Sequence, residues 1–167
     1  ERALSSGGEP DALNAILGML PCRAGEFETG IGHLRSAHAP RPSDPSIALN
    51  LISALIETGE HGEALAVATP ELAQRDTSLR IGRARGFAAQ MCGDLAAAAG
   101  GFGEVGAAAP AGWQSWNNLG NAHALAGNSD GAIRALGRAV ELNPGVAPAR
   151  LNVPPALRKG RGVGGAR

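Results

Sequence analysis

The order of apolar and polar positions over residues 113–146 predicts two consecutive helices. Apolar side chains recur there at steps of three and four residues, which places them on one face of a helix. Gly127 ends the first helix, because glycine can adopt the left-handed conformation that closes a helix without strain from a Cβ atom. Either Asn128 or Ser129 then offers a side-chain oxygen as the N-cap of the second helix, which Pro144 ends. The segment is therefore predicted to be an antiparallel helical hairpin.

Two small residues mark the place where the paired helices are expected to cross. Gly120 lies in the first helix and Ala132 lies in the second. Helices that pack at an axial distance of about 8 to 10 Å leave little volume for side chains at their crossing. We therefore expect Ala132 to face Gly120.

The same arrangement recurs along the chain with a period of 34 residues. Self-similarity at such a period indicates a stack of similar supersecondary units. Four glycines, each at the end of a predicted helix, are in register without insertion or deletion: Gly25, Gly59, Gly93 and Gly127. A later column contains mainly proline: Pro42, Asp76, Pro110 and Pro144. The repeats are predicted at residues 11–44, 45–78, 79–112 and 113–146.

The two ends of the chain fall outside these four repeats. Residues 1–10 are interpreted as the tail of a preceding repeat. Residues 147–167 are interpreted as the degenerate start of a fifth repeat, followed by a basic, glycine-rich tail.

This pattern resembles the tetratricopeptide repeat (TPR) family. The fourth repeat carries the family's residues most completely: Trp116, Leu119, Gly120, Gly127, Ala132, Leu136, Ala139 and Pro144. The resemblance implies an all-α fold, a right-handed α-solenoid of four antiparallel helix hairpins of 34 residues each. Earlier repeats depart from the pattern, since Arg85 replaces a leucine and Pro70 falls inside a second helix, which it is expected to kink.

Composition narrows the classes of partner. The 15 basic and 15 acidic side chains give no formal net charge, which argues against binding to nucleic acid or to an anionic membrane. No apolar run approaches the roughly 18 residues of a membrane span, and no signal peptide is visible, so a cytoplasmic location is favoured. Cys22 and Cys92 are too few for a disulfide framework and are expected to be reduced, packed thiols.

Several patterns that can carry chemistry have a simpler explanation here. Gly101, Gly103 and Gly106 spell GxGxxG, but no predicted strand precedes them, so they indicate a glycine-weakened helix rather than a phosphate site. The basic residues of the tail are interpreted as solvated: Arg158, Lys159 and Arg161. The four histidines lack the spacing of a metal site: His33, His38, His61 and His123. We expect no catalytic residue, no metal and no cofactor.

The resemblance also implies where a partner would bind. In TPR arrays the first helices of the repeats line a concave groove that holds an extended peptide or a helix. The corresponding exposed positions here are Asn50, Ser53, Arg80, Arg83, Phe87, Asn117, Asn118 and Asn121. Amide side chains both donate and accept hydrogen bonds, and so can bracket a peptide backbone. The alternative, that the asparagines are repeat consensus and bind nothing in particular, stays open.

These observations predict a protein–protein interaction scaffold with no catalysis in this stretch. A clamp for the two carboxylates of a chaperone tail is not expected, because only Asn50 is kept in kind among the clamp's positions, with Arg80 as a charge substitute. The alternative belongs to another class: the N-terminal TPR array of a larger transferase, of sulfotransferase or glycosyltransferase type, with its catalytic domain beyond residue 167.

Overall fold

The computed structural model describes residues 26–145, and all regular secondary structure in that range is α-helical. The helices are α1 (Phe27–His38), α2 (Pro45–Glu57), α3 (His61–Val67), α4 (Pro70–Arg75), α5 (Arg80–Met91), α6 (Leu95–Ala108), α7 (Trp113–Leu125) and α8 (Ser129–Leu142). The predicted all-α class is confirmed for this range. The expectations for Gly25 and for residues 1–10 and 147–167 lie outside the described residues.

Glycines close the first helix of three hairpins. Gly59, Gly93 and Gly127 have φ values of 81°, 80° and 75°, the left-handed region that glycine adopts without strain. After each glycine the next amide donates back to a carbonyl of the last turn, as in the 2.8 Å bond from Glu60 to Leu55. This pattern satisfies carbonyls that a helix end leaves unpaired, and it turns the chain into the next helix.

Side chains of the connecting turns cap the helices that follow. Asn128 rather than Ser129 caps α8, because its Oδ1 accepts from the Gly131 amide at 2.9 Å. Asp44 accepts from the Ser46 amide at the start of α2, also at 2.9 Å. Such caps contribute about 1 kcal/mol each and fix where a helix begins.

Proline breaks the second helix of the 45–78 segment rather than kinking it. α3 ends at Val67, and α4 begins at Pro70. Proline lacks an N–H and its ring clashes with the preceding turn, but at the first position of a helix it is well tolerated. The Thr69 hydroxyl then caps α4 by accepting from the Leu72 amide at 3.2 Å. The break therefore produces two short helices where one was expected.

The chain forms two compact units that divide inside α6, between Gly101 and Phe102. In the first unit, α2 packs against α1, α3 and α5. Its core consists of aliphatic side chains that are almost completely buried: Ile31, Leu34, Leu51, Ile52, Leu55 and Ile81. Removing such side chains from water is the main stabilising contribution to a small helical unit.

α5 and α6 approach each other closely at three glycines of the first unit. A Cβ atom at Gly101 would lie 3.1 Å from the backbone nitrogen of Gly86 and 3.3 Å from the carbonyl oxygen of Gly82. The GxGxxG run thus lies within a helix, and its first glycine permits close packing of two backbones.

The second unit is centred on the α7–α8 hairpin. The Trp116 ring lies beside Gly106, where a Cβ atom would be 3.4 Å from the ring, and its Nε1 donates to the Pro110 carbonyl at 3.1 Å. Leu136 is the residue nearest to Gly120: a Cβ atom there would lie 2.5 Å from Leu136 Cγ. Ala132, which is expected to face Gly120, lies one helical turn before Leu136 in α8 and is buried.

Candidate functional site: exposed faces of the first helices

The most distinctive exposed face belongs to α5. Arg80, Arg83, Phe87 and Met91 follow one another at steps of three and four residues, so they form one stripe along the helix. All four are exposed, whereas Ile81, Gly82, Gly86, Ala88 and Ala89 are buried on the opposite side. We call these four exposed residues the α5 stripe.

The C-terminal half of the α5 stripe is apolar. Phe87 is 41% exposed and Met91 is 52% exposed. The ring of His61 approaches Phe87 edge-on, with the ring centroids 5.8 Å apart and the ring planes at 86°. This contact braces the aromatic ring while leaving much of it accessible.

The N-terminal half of the α5 stripe is basic, and its charges are not neutralised by the described part of the chain. Arg83 donates to the backbone carbonyl of Ser78 at 3.2 Å, and no described carboxylate forms an ion pair with Arg80 or Arg83. At the start of α3, Glu60 and Glu63 bind Arg35 instead. The hydrogen bond from Arg35 holds the pKa of Glu63 below its usual value.

A buried carboxylate sets the start of α5. Asp76 accepts hydrogen bonds from the amides of Ser78 and Ile81, at 3.0 and 2.8 Å, and from the Ser78 hydroxyl. Burial acts to raise the pKa of Asp76, but these hydrogen bonds outweigh it, so the pKa lies below its usual value. Leu79 enters the helix with φ of 60°, a conformation uncommon for a residue with a side chain. Asp76 therefore anchors the turn that presents Arg80.

The two predicted partner-binding residues of α2 are less available to a partner than those of the α5 stripe. Asn50 is half-buried. Ser53 is exposed, but its hydroxyl donates to the Leu49 carbonyl at 2.7 Å. That hydroxyl keeps only its acceptor capacity for a partner.

Amide side chains follow one face of α7 in the second unit. Asn117, Asn118 and Asn121 are half-buried and have no side-chain hydrogen bond to other described residues. Gln114 and Leu125, which sequence reasoning missed, are exposed and follow the same spacing. The face therefore offers several amides with unused donors and acceptors.

The structure places the predicted residues in two sets. Those of α2 and α5 lie in the first unit, and those of α7 lie in the second. Sequence reasoning also missed Met91 and His61. The sequence does contain a signal for Met91, because it lies four residues after Phe87 on the same helix face. The approach of His61 to Phe87 has no such signal, because it depends on how α3 packs against α5.

No group of three or more His, Cys, Asp or Glu side chains in residues 26–145 is placed to hold a metal ion. No described helix has both the length and the apolar character needed to cross a membrane. Cys92 is exposed, so the expectation that it would be packed is wrong.

Sequence comparison identifies one repeat directly. The family profile described as "Tetratricopeptide repeat" matches residues 113–146. No curated protein matches the chain by sequence.

Solved structures share the fold over most of the chain. "Crystal structure of MamA protein" has a TM-score of 0.75 at 20% identity, covering 83% of this chain and 76% of that one. "MamA 41-end from Desulfovibrio magneticus RS-1" has a TM-score of 0.72 at 23% identity, covering 82% and 77%. YrrB, described as "a TPR protein with an unusual peptide-binding site", has a TM-score of 0.72 at 18% identity, covering 83% and 71%.

These findings define the class of protein. The described residues have the fold of helical-hairpin repeat proteins. Within that class, residues 113–146 match the tetratricopeptide repeat by sequence.

Proposed function

We propose that this chain is a protein-interaction scaffold that binds a peptide or a helix of a partner protein, with one candidate face on α2 and α5 of the first unit and another on α7 of the second. The observation that carries the proposal is the α5 stripe, where Phe87 and Met91 are exposed next to two arginines without ionic partners among the described residues. Large apolar side chains grouped on a surface mark interaction sites more often than isolated ones do. The fold itself accommodates peptide ligands, since YrrB is described as having a peptide-binding site.

The α7 face supports the same proposal with different chemistry. Asn117, Asn118 and Asn121 present amides that have no partner among the described residues. Each amide offers donors and an acceptor, so a peptide backbone lying along α7 would find both of its hydrogen-bonding groups satisfied.

The proposal includes no catalysis within residues 1–167 and a cytoplasmic location. It assigns neither nucleic acid, membrane nor metal as a partner. The balance of 15 basic and 15 acidic side chains supports this restriction, because binding to nucleic acids and to anionic membranes depends on excess positive charge.

Affinity capture from a lysate of the source organism, read by mass spectrometry, tests the proposal. The parent chain is compared with the triple variant Asn117→Ala, Asn118→Ala, Asn121→Ala and with the double variant Phe87→Ser, Met91→Ser. We expect the parent to retain a specific partner that at least one of these variants loses while keeping the parent's helicity by circular dichroism.

The matched control changes three exposed residues of the second helix of the last hairpin: Arg134→Ala, Arg138→Ala and Glu141→Ala. This control is expected to retain the partner. If the control variant loses the partner to the same extent, the assignment of the binding surface to the first-helix faces is wrong. If the parent retains no specific partner, the scaffold function is contradicted.

A further inference from the structure

We propose that the α5 stripe binds a partner segment in which acidic residues lie close to a large apolar side chain. This inference rests on the proposed function, and it adds the chemistry of the partner. It concerns α5 alone and makes no use of the amides of α7.

Charge and hydrophobicity are separated along the α5 stripe. Arg80 and Arg83 occupy the first turns of α5, and Phe87 and Met91 occupy the last turns. At about 1.5 Å of rise per residue, the stripe is roughly 16 Å long. A helical ligand of about three turns, or an extended one of about five residues, would therefore meet guanidinium groups at one end and apolar surface at the other.

Arg80 and Arg83 are available to form ion pairs with a ligand. α5 contains three arginines and no acidic residue. Around it, Asp76 is occupied by backbone amides and the Ser78 hydroxyl, and Glu63 is occupied by Arg35. Guanidinium groups without a carboxylate are expected to select acidic partners, because each can form two parallel hydrogen bonds to one carboxylate.

The apolar half of the α5 stripe can contact an apolar side chain of the ligand. Phe87 is braced edge-on by His61, and Met91 lies one turn further along α5. Thioether side chains adapt to varied shapes, and aromatic ones provide large contact areas. Binding energy at interfaces concentrates on such residues, so we expect the apolar contact to supply affinity and the arginines to supply selectivity.

The spacing within the ligand follows from the spacing within α5. Arg83 and Phe87 are four residues apart, which corresponds to roughly 6 Å along the helix axis. An extended ligand spans that distance in about two residues, and a helical ligand spans it in about four. The ligand should therefore carry an acidic residue about two to four positions from a Leu, Ile, Met, Phe or Trp.

The test selects ligands from a phage-displayed library of random peptides of about 12 residues, long enough to follow the whole stripe. The parent chain is the bait. The strongest peptide is then synthesised with a fluorophore, and its dissociation constant is measured by anisotropy. We expect enrichment of the acidic and apolar pattern, and weaker binding when sodium chloride is raised from about 50 to about 500 mM.

Two charge variants make the test specific. Arg80→Gln with Arg83→Gln should weaken binding about tenfold, because two ionic contacts are lost. Arg134→Gln with Arg138→Gln removes the same charge from exposed positions of α8 and should change the affinity less than about twofold. Phe87→Ser with Met91→Ser should weaken binding by about tenfold or more, because central apolar contacts dominate interface energies.

The possible failures are distinguishable. Selected peptides that lack acidic residues, or that respond equally to both arginine pairs, would overturn the inference while leaving the scaffold function standing. An oligoglutamate or an oligouridylate that binds as tightly as the selected peptide would also overturn it, since charge alone would then explain binding. If no peptide is selected and the parent captures no partner, both the inference and the proposed function fail.

Discussion

Gly120 shows how a single missing side chain lets two helices meet. Its Cβ position is 2.5 Å from Leu136 Cγ, 2.9 Å from Cδ2 and 3.2 Å from the backbone nitrogen of the same residue. Gly120→Ala would therefore force α7 and α8 apart, because a backbone atom cannot rotate away. We expect overpacking to cost about 1 to 3 kcal/mol, more than the gain of about 1 kcal/mol in helix propensity, and thus a lower urea midpoint.

Gly137 provides the matched control for Gly120 on the partner helix. It lies on the exposed side of α8, and nothing lies within 4 Å of its Cβ position. Gly137→Ala should increase the unfolding free energy by about 1 kcal/mol and so raise the urea midpoint, because only helix propensity changes. A midpoint for Gly120→Ala at or above that of the parent would contradict the crossing described here.

Asp76 is the polar side chain on which the start of α5 depends most. Asp76→Ala would leave the amides of Ser78 and Ile81 without their acceptor. We expect a loss of about 1 to 3 kcal/mol in unfolding free energy, measured by urea denaturation and circular dichroism. Glu104→Gln, at an exposed position of α6, serves as the control and should change stability by less than about 0.5 kcal/mol.

At the scale of elements, α6 combines four interior glycines with a close contact. Gly100 has nothing within 4 Å of its Cβ position, whereas the neighbouring Gly101 faces backbone atoms of Gly86 and Gly82. Alanine at these adjacent positions should act in opposite directions: Gly100→Ala stabilises by about 1 kcal/mol, and Gly101→Ala destabilises.

Hydrogen–deuterium exchange measures the consequence for α6 itself. In the parent, the amides around Gly100 and Gly103 should exchange faster than those in the middle of α2, since interior glycines lower local helix stability. Gly100→Ala should slow that exchange. Equal protection of α2 and α6 in the parent would refute the prediction.

The sequence could predict the helix ends that depend on local chemistry. The positive φ of Gly59, Gly93 and Gly127 follows from glycine's own conformational freedom, which acts within a few residues. The nearest neighbour of Gly120 depends instead on the exact offset between two helices, and it is Leu136, one turn beyond the small Ala132. Pro70 was recognised as disruptive, but whether a helix kinks or divides depends on whether a cap such as Thr69 precedes the proline.

The candidate site likewise contains residues that the sequence could predict and residues that it could not. The 34-residue register led to Arg80, Arg83 and Phe87, because exposed positions of a first helix recur with the repeat. It did not lead to His61, whose approach to Phe87 is a tertiary contact. Nor did it indicate that Glu60 and Glu63 bind Arg35, which leaves the α5 arginines without these carboxylates.

For the molecule as a whole, three titratable groups of the first unit should make stability fall on acidification. Burial is the main cause that lowers the pKa of His38 below 6.5, against the opposing charge of Asp44, and its Nδ1 is buried without a hydrogen-bond partner. Unfolded chains then bind this proton more readily than folded ones, so stability from His38 is complete above pH 6.5 and is lost as the pH falls below it.

The carboxylates act in the same direction at lower pH. The pKa values of Glu63 and Asp76 lie below the ordinary 4.5 and 3.8, so their stabilising contributions are complete above those values and disappear as the pH falls through the folded-state pKa. The larger share should come from Asp76, because it is buried, whereas the ion pair of Glu63 is exposed and screened by solvent.

Urea midpoints measured from about pH 8 down to about pH 3 should therefore fall in two steps, the first below neutrality and the second in the acid range. His38→Gln should remove the first step and keep the second, because glutamine does not titrate. Asp76→Asn should reduce the second step and keep the first. A midpoint that rises between about pH 7 and about pH 5 would show that His38 gains rather than loses affinity for its proton on folding, and would contradict the burial of its Nδ1 atom.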